Sequence, residues 1–236
     1  MGAAPGDRAS DAAVGSPDHR SDARPRVRRL AGGGLVSTRL VLASASPARL
    51  ATLRSAGVDP LVVVSGVDES VLDGLSPSDL ARGLAELKCA AVADSDRAPR
   101  GALVLGCDSV LELEGEALGK PRDAADAVRR WQAMRGRSGV LQTGHCLRDT
   151  TTGEQLSATA STTVHFADVS DEEIAAYVAT GEPLHVAGAF TVDGLGGAFV
   201  TRIEGDFHNV VGVSLPLLRE LLAGLGHSWT ALWSPR

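Results

Sequence analysis

Of the 23 basic side chains in the 236-residue chain only two, Lys88 and Lys120, are lysines; the other 21 are arginines. Lysine is a compact point charge on a flexible stem, whereas arginine is a planar fork. A point charge suits a tight anionic site, such as one oxygen of a triphosphate. The two lysines are therefore candidate substrate contacts, although chance survival on a solvated face is the plainer alternative. Acidic residues stand after two apolar runs: Asp68-Glu69 after one, Asp108 after another. In open α/β sheets ligands bind beyond the carboxyl ends of strands. Carboxylates there suit Mg²⁺ or Mn²⁺, hard ions that prefer oxygen ligands and keep several waters. One could instead serve as general base on a water. Turn capping is the ordinary role of a loop aspartate. It accounts least well for Asp108, because an apolar strand leads directly to it.

The segment Ser44-Ala45-Ser46-Pro47 lies where a strand passes into a helix, with Arg49 one turn in. Free backbone N–H groups and hydroxyls at such a point make an anion site. Plain N-capping by Ser46, with Arg49 in solvent, is the competing reading. Two look-alike motifs fail. Gly115 to Pro121 has three residues between its glycines where a P-loop has four, and proline where the metal-binding hydroxyl belongs. Gly194-Leu195-Gly196-Gly197 misplaces the third glycine of a dinucleotide fingerprint. The histidines show no metal-ligand spacing, and His145, His185 and His208 read as structural or surface residues near strand ends or turns. No GxSxG elbow is present, which disfavours a serine hydrolase.

The elements that must position these residues alternate between strand and helix. Strands are expected at Leu40–Ala43, Leu61–Val64, Ala102–Cys107, Val140–Leu147, Ala158–Phe166 and Phe199–Ile203. A small hairpin around Glu114-Gly115 joins Val110–Leu113 to Glu116–Leu118. Helices are expected from Pro47, capped by Ser46, and from Ser76-Pro77 to about Val92, the latter carrying Lys88. Three more follow: Asp123 to Met134, a segment opened by the Ser170/Glu173 capping box, and Leu215–Leu225. Trp229, Leu232 and Trp233 have helical spacing and are expected to pack the tail onto the body or onto a partner subunit. This pattern predicts an α/β fold with a mixed sheet.

Residues 1–37 differ from the rest, being rich in Ala, Gly, Arg, Asp, Ser and Pro without periodic apolar positions. They read as a disordered extension with no secretory h-region. A sharper alternative is that translation starts near Val36, which mass spectrometry of the native N-terminus tests. Residues 38–236 read as one domain. Net charge is −6 overall, and the excess acid lies in this body, which argues against nucleic-acid binding. No run reaches the ~20 apolar residues of a membrane span. Three cysteines without CxxC spacing point to a reducing, cytoplasmic setting.

Together these pieces resemble the Maf family of nucleoside triphosphate pyrophosphatases. The likeness runs from about Arg39 to Gly226. It rests on Leu42-Ala43-Ser44-Ala45-Ser46-Pro47-Ala48-Arg49, Val67-Asp68-Glu69, Leu87-Lys88, Gly106-Cys107-Asp108-Ser109 and Leu118-Gly119-Lys120-Pro121. Further on it includes Tyr177 to Pro183, Ala187-Gly188-Ala189, Arg202 to Asp206 and Asn209-Val210-Val211-Gly212. The resemblance implies a two-lobed, Maf/ITPase-like α/β fold with a mixed central sheet flanked by helices and an active-site cleft. It also implies release of pyrophosphate from a nucleoside triphosphate with a divalent metal, commonly by a homodimer. It makes Asp108 the catalytic base, with Glu69 and Asp108 at the metal and Ser44, Ser46, Arg49, Lys88 and Lys120 on the substrate. Three positions depart from the dTTP/UTP subgroup: Ala48 stands for the first arginine of Ser-Pro-Arg-Arg, Ser109 for threonine, and Asp193 for glutamine. A broader or different base preference is expected. A nucleotide-binding regulator of septum formation, with weak or no catalysis, is the alternative.

Overall fold

The computed structural model describes residues 1–2, 39–68, 72 and 74–234. The extension expected at residues 1–37 and the acidic position Glu69 thus fall outside the described residues, apart from residues 1–2.

The chain enters on β1 (Leu40–Leu42), α1 (Pro47–Ser55) and β2 (Leu61–Val62), followed by α2 (Pro77–Ala93). Next come β3 (Leu103–Leu113), β4 (Glu116–Leu118), α3 (Ala124–Met134), β5 (Ser138–Asp149), β6 (Gln155–Phe166) and α4 (Asp171–Ala179). Short 3-10 turns lead to β7 (Val200–Glu204), α5 (Phe207–Val211) and α6 (Leu215–Gly224). The helix starts follow local chemistry. Ser46, Ser76, Asp123, Ser170 and Ser214 each accept a backbone N–H in the first turn, and proline stands near the start of α1, α2 and α6. The Ser170/Glu173 capping box is formed at both of its bonds.

The sheet runs β2-β1-β3-β5-β6-β7, with β4 attached to β3. β1 pairs in parallel with β2 and β3, and the remaining pairs are antiparallel. A mixed sheet flanked by helices is the expected α/β class. Glu114 and Gly115 both take positive φ at the β3–β4 turn, the geometry a two-residue hairpin needs.

One expectation fails. The strand read as ending at Asp108 does not end there: β3 continues through Asp108 and Ser109 to Leu113, fused with the segment assigned to the hairpin. Two polar residues interrupt the apolar run, but the backbone keeps its ladder with β5 from Leu103 to Glu112. Asp108 is therefore a mid-strand residue, not one at a carboxyl end. His145 likewise lies inside β5, not near its end.

Two apolar regions sit along these long strands. One gathers Leu111, Leu141, Val164 and Phe166 with Trp131 of α3 and Ile174 of α4. The other covers both faces of the opposite half. Leu103, Leu105 and Leu147 pack with Leu53 of α1 and Leu218 of α6, while Val41, Val104 and Cys146 pack with Ala85 and Val92 of α2. The polar residues Asp108, Ser109, Gln142 and Thr143 lie between the two regions. At the tail, Leu232 and Trp229 pack on the core beside α6, and Trp233 forms a bridge to Val58.

Candidate active site

β5 occupies one edge of β3 along almost its whole length, so β1 and β4 must share the other. β1 takes Leu103–Leu105 and β4 takes Leu111–Leu113. Among the described residues no strand pairs with that edge from Gly106 to Val110, and Asp108 stands at the middle of the gap.

Alternation along β3 sends Val104, Gly106 and Asp108 toward α2 and Leu105, Cys107 and Ser109 toward α1 and α6. Helix α2 approaches closely because two glycines leave room. A Cβ on Gly106 would stand 2.1 Å from the Ala85 carbonyl oxygen, and one on Gly144 2.1 Å from that of Ala81. Gly144 lies directly opposite Asp108 in the β3–β5 register. This approach delivers Lys88, whose Nζ donates to Asp108 Oδ1. Only 11% of the lysine side chain and 12% of the aspartate side chain remain exposed. Ion pairs this deep rarely add stability, because desolvation offsets the Coulomb gain.

On the opposite face Arg49 is buried, not solvated. Its Nε donates to Gly212 O at 2.7 Å, Nη1 to Ser44 Oγ at 3.0 Å and Nη2 to Ser109 Oγ at 3.0 Å. Ser46 is the N-cap, accepting from Arg49 N, and donates its own N–H to Ser44 Oγ. Ser109 Oγ also pairs with Thr143 Oγ1 at 2.9 Å, and Thr143 Oγ1 donates to Asn209 O. Asn209 fixes α5 to the sheet through bonds from Nδ2 to Leu141 O, Ala160 O and Thr162 Oγ1.

Two titratable groups beside this network stay neutral. Burial pushes the Cys107 thiol up to about 12 despite the nearby Arg49, so it is no nucleophile at neutral pH. Burial lowers His145 to about 4. Its Nε2 accepts from Ser214 N at 2.8 Å, so Nδ1 carries the proton and donates to Thr143 O at 3.0 Å. That ring is a structural brace between β5 and the start of α6.

Lys120 is exposed and follows β4, whose register runs from Leu118, opposite Leu111, back along the open edge toward Asp108. Arg130 of α3 holds that turn by donating to Gly119 O at 2.6 Å. Ala48 and Asp193 meet in a cavity of about 340 Å³, lined also by Thr52, Phe207 and His208. Phe207 is 46% exposed at this cavity. A second cavity, about 400 Å³, opens between the β3–β4 hairpin and α3 and holds none of the candidate residues.

For a metal, the described residues contain no group of three or more His, Cys, Asp or Glu side chains able to hold an ion. Asp108 supplies hard carboxylate oxygen, which fits an ion bound chiefly through substrate phosphates and water. The structure therefore joins Asp108 to Lys88, Arg49 to Ser44 and Ser109, and Ala48 to Asp193. Thr143 escaped the sequence reading, and Asn209 entered it only as part of a family motif, without a role. The visible sign of Thr143 is a polar residue on an apolar strand, in register with Ser109; for Asn209 it is the motif alone, which does not reveal its bonds to the sheet.

A Maf-like protein family model matches residues 39–225. A nucleoside triphosphate pyrophosphatase of Streptomyces coelicolor is 61% identical over 197 residues, covering 84% of this chain and 95% of that protein. One from Salinispora tropica is 62% identical over 203 residues, covering 85% of this chain and 90% of its own. A third, from Cyanothece sp., is 54% identical over 193 residues, covering 82% and 98%.

Proposed function

We propose, for a chain that belongs to the Maf-like protein family, hydrolysis of a nucleoside triphosphate to the monophosphate and pyrophosphate beside Asp108. The observation that carries this reading is the buried Asp108–Lys88 pair at the open edge of β3. A water oxygen attacks the α-phosphorus, and its proton passes to the Asp108 carboxylate. The bond from the α-phosphorus to the bridging oxygen breaks, and pyrophosphate leaves with the electron pair. Lys88, Lys120 and Arg49 offset the charge that grows on that leaving group, and Ser44 and Ser46 seat phosphate oxygens. Lys88 has a flexible stem and can shift from Asp108 to a phosphate as substrate enters. A divalent cation, Mg²⁺ or Mn²⁺, held by Asp108 and Glu69 with the phosphates, supplies Lewis-acid polarisation when bound.

The cavity of Ala48, Asp193 and Phe207 takes the base. Asp193 offers only acceptors, where a glutamine amide offers both a donor and acceptors. A thymine or uracil face, with one N–H between two carbonyls, loses a donor at such a site. The base preference therefore differs from that of the dTTP/UTP subgroup. A homodimer and a cytoplasmic setting belong to the same proposal; three free cysteines and the lack of any helix long and apolar enough to cross a membrane, among the described residues, are consistent with the second.

The test is a panel of ordinary and modified nucleoside triphosphates with Mg²⁺ or Mn²⁺, scoring products. Monophosphate with pyrophosphate is expected. Orthophosphate as the first product would make the protein a phosphatase, and no turnover of any member would remove the catalytic reading.

A further inference from the structure

We propose that Glu182 is a positioning residue that clamps residues 191–197 and so sets Asp193 as a wall of the base cavity. This rests on the nucleotide reading above.

Glu182 opens the short turn after α4, and its carboxylate gathers four donors. Oε1 accepts from Tyr177 OH at 2.9 Å, from Thr191 Oγ1, and from Gly196 N at 3.1 Å. Oε2 accepts from Leu195 N at 3.0 Å. Tyr177 OH in turn accepts from Thr191 N at 3.2 Å. The bonds thus grip both ends of the stretch that carries Asp193, at Thr191 and at Leu195-Gly196. Tyr177 is itself fixed in the core by edge contacts to Trp131 and Phe199, with ring centroids 5.5 Å apart in each case. Gly196 leaves no slack, since a Cβ there would lie 2.4 Å from Tyr177 OH.

The clamped stretch has little packing of its own. Asp193 and Gly194 are exposed, and Leu195 is 60% exposed. The exposed tip from Asp193 to Leu195 is thus held by one carboxylate and its hydrogen bonds to the flanking residues, not by apolar burial of its own. Burial pushes the Glu182 carboxyl up, but the bonds from Thr191, Leu195, Gly196 and Tyr177 outweigh it and hold it below the usual range. Asp193 emerges from this clamp facing Ala48, Phe207 and His208. A residue that must present one carboxylate to a base needs such a rigid supporting shell.

A double-mutant cycle tests it on the full chain, with Glu182→Gln, Asp193→Ala and the pair. For the best nucleotide found in the panel, Glu182→Gln should raise KM about ten-fold and leave kcat within about three-fold, as for an interaction equal in ground and transition states. In the Asp193→Ala background the same change should have little further effect, because both act through one contact. Thr191→Val, which removes a single clamp bond, should shift KM the same way by less and guards against misfolding of the first variant. Additive effects on KM, or a fall in kcat with KM unchanged, would overturn the clamp while leaving the pyrophosphatase reading intact. The same cycle can be read by calorimetric binding of α,β-methylene nucleoside triphosphates, which needs no turnover. Wild-type protein that binds no analogue would overturn both readings, and binding without hydrolysis would overturn only the catalytic one.

Discussion

Asp108 and Ser109 are adjacent in sequence yet face opposite sides of β3. The first meets Lys88 of α2 and the second meets Arg49 of α1. One strand thus carries two polar clusters, a carboxylate-ammonium pair on one face and a guanidinium-hydroxyl network on the other. Both stand where, among the described residues, no strand pairs with the edge of β3 between β1 and β4. A polyanion entering at that edge can be reached from both faces at once, which is what neutralising a triphosphate requires.

Lys88→Arg should cost at least about ten-fold in kcat, since a preorganised charge donor typically contributes about 10²–10³. Lys88 is carried to Asp108 by a helix that packs closely on the sheet at Gly106 and Gly144, and a planar guanidinium fork does not reproduce the ammonium's point charge there. Lys120→Arg should cost less, because Lys120 is exposed. Steady-state kinetics, with circular dichroism to confirm folding, check both. Equal, negligible effects would return the two lysines to chance.

Gly144→Ala places a methyl where the Ala81 carbonyl oxygen stands, and backbone cannot yield as a side-chain tip can. Helix α2 must move away from the sheet and carry Lys88 with it. Overpacking of this kind costs about 1–3 kcal/mol of stability, and activity should fall more than stability alone explains. Urea unfolding beside a pyrophosphate assay measures the two separately.

His145 sets a pH dependence of stability. Its folded value, about 4, lies below the ordinary 6.5 chiefly because the ring is buried. Between those values the unfolded chain holds a proton that the folded chain refuses. The contribution is therefore complete above about pH 6.5, declines as pH falls through the window, and is lost once the folded ring protonates near pH 4. Between pH 7 and 4.5 this amounts to about 2–3 kcal/mol. Denaturant titrations should show that slope, and a His145→Gln variant should lack that part of it.

Much of this architecture is legible in the sequence. The helix starts at Ser46-Pro47, Ser76-Pro77 and Ser170 declare themselves through side-chain chemistry confined to one turn. The Glu114-Gly115 hairpin is equally local. The course of β3 was not, because Asp108 and Ser109 break the apolar run and look like a strand end. Only pairing with β5 shows that the strand continues, and pairing is a long-range fact. The partners of Arg49 were hidden for the same reason: Gly212 is 163 residues away in sequence. Lys88 meets Asp108 only because two glycines, unremarkable as letters, let a helix approach the sheet. Glu182 stands in a family motif, but its role is not legible there, since its donors combine tyrosine and threonine hydroxyls with backbone N–H groups that no side-chain pattern reveals.

The most direct test of the account is product release by Asp108→Asn, an isosteric change that removes the base. Assayed against wild type with the preferred nucleotide and metal, and with circular dichroism to confirm that the variant is folded, it should release pyrophosphate about 10²–10⁴ times more slowly. Pyrophosphate release within a few-fold of wild type would contradict the assignment of Asp108 and the mechanism built on it.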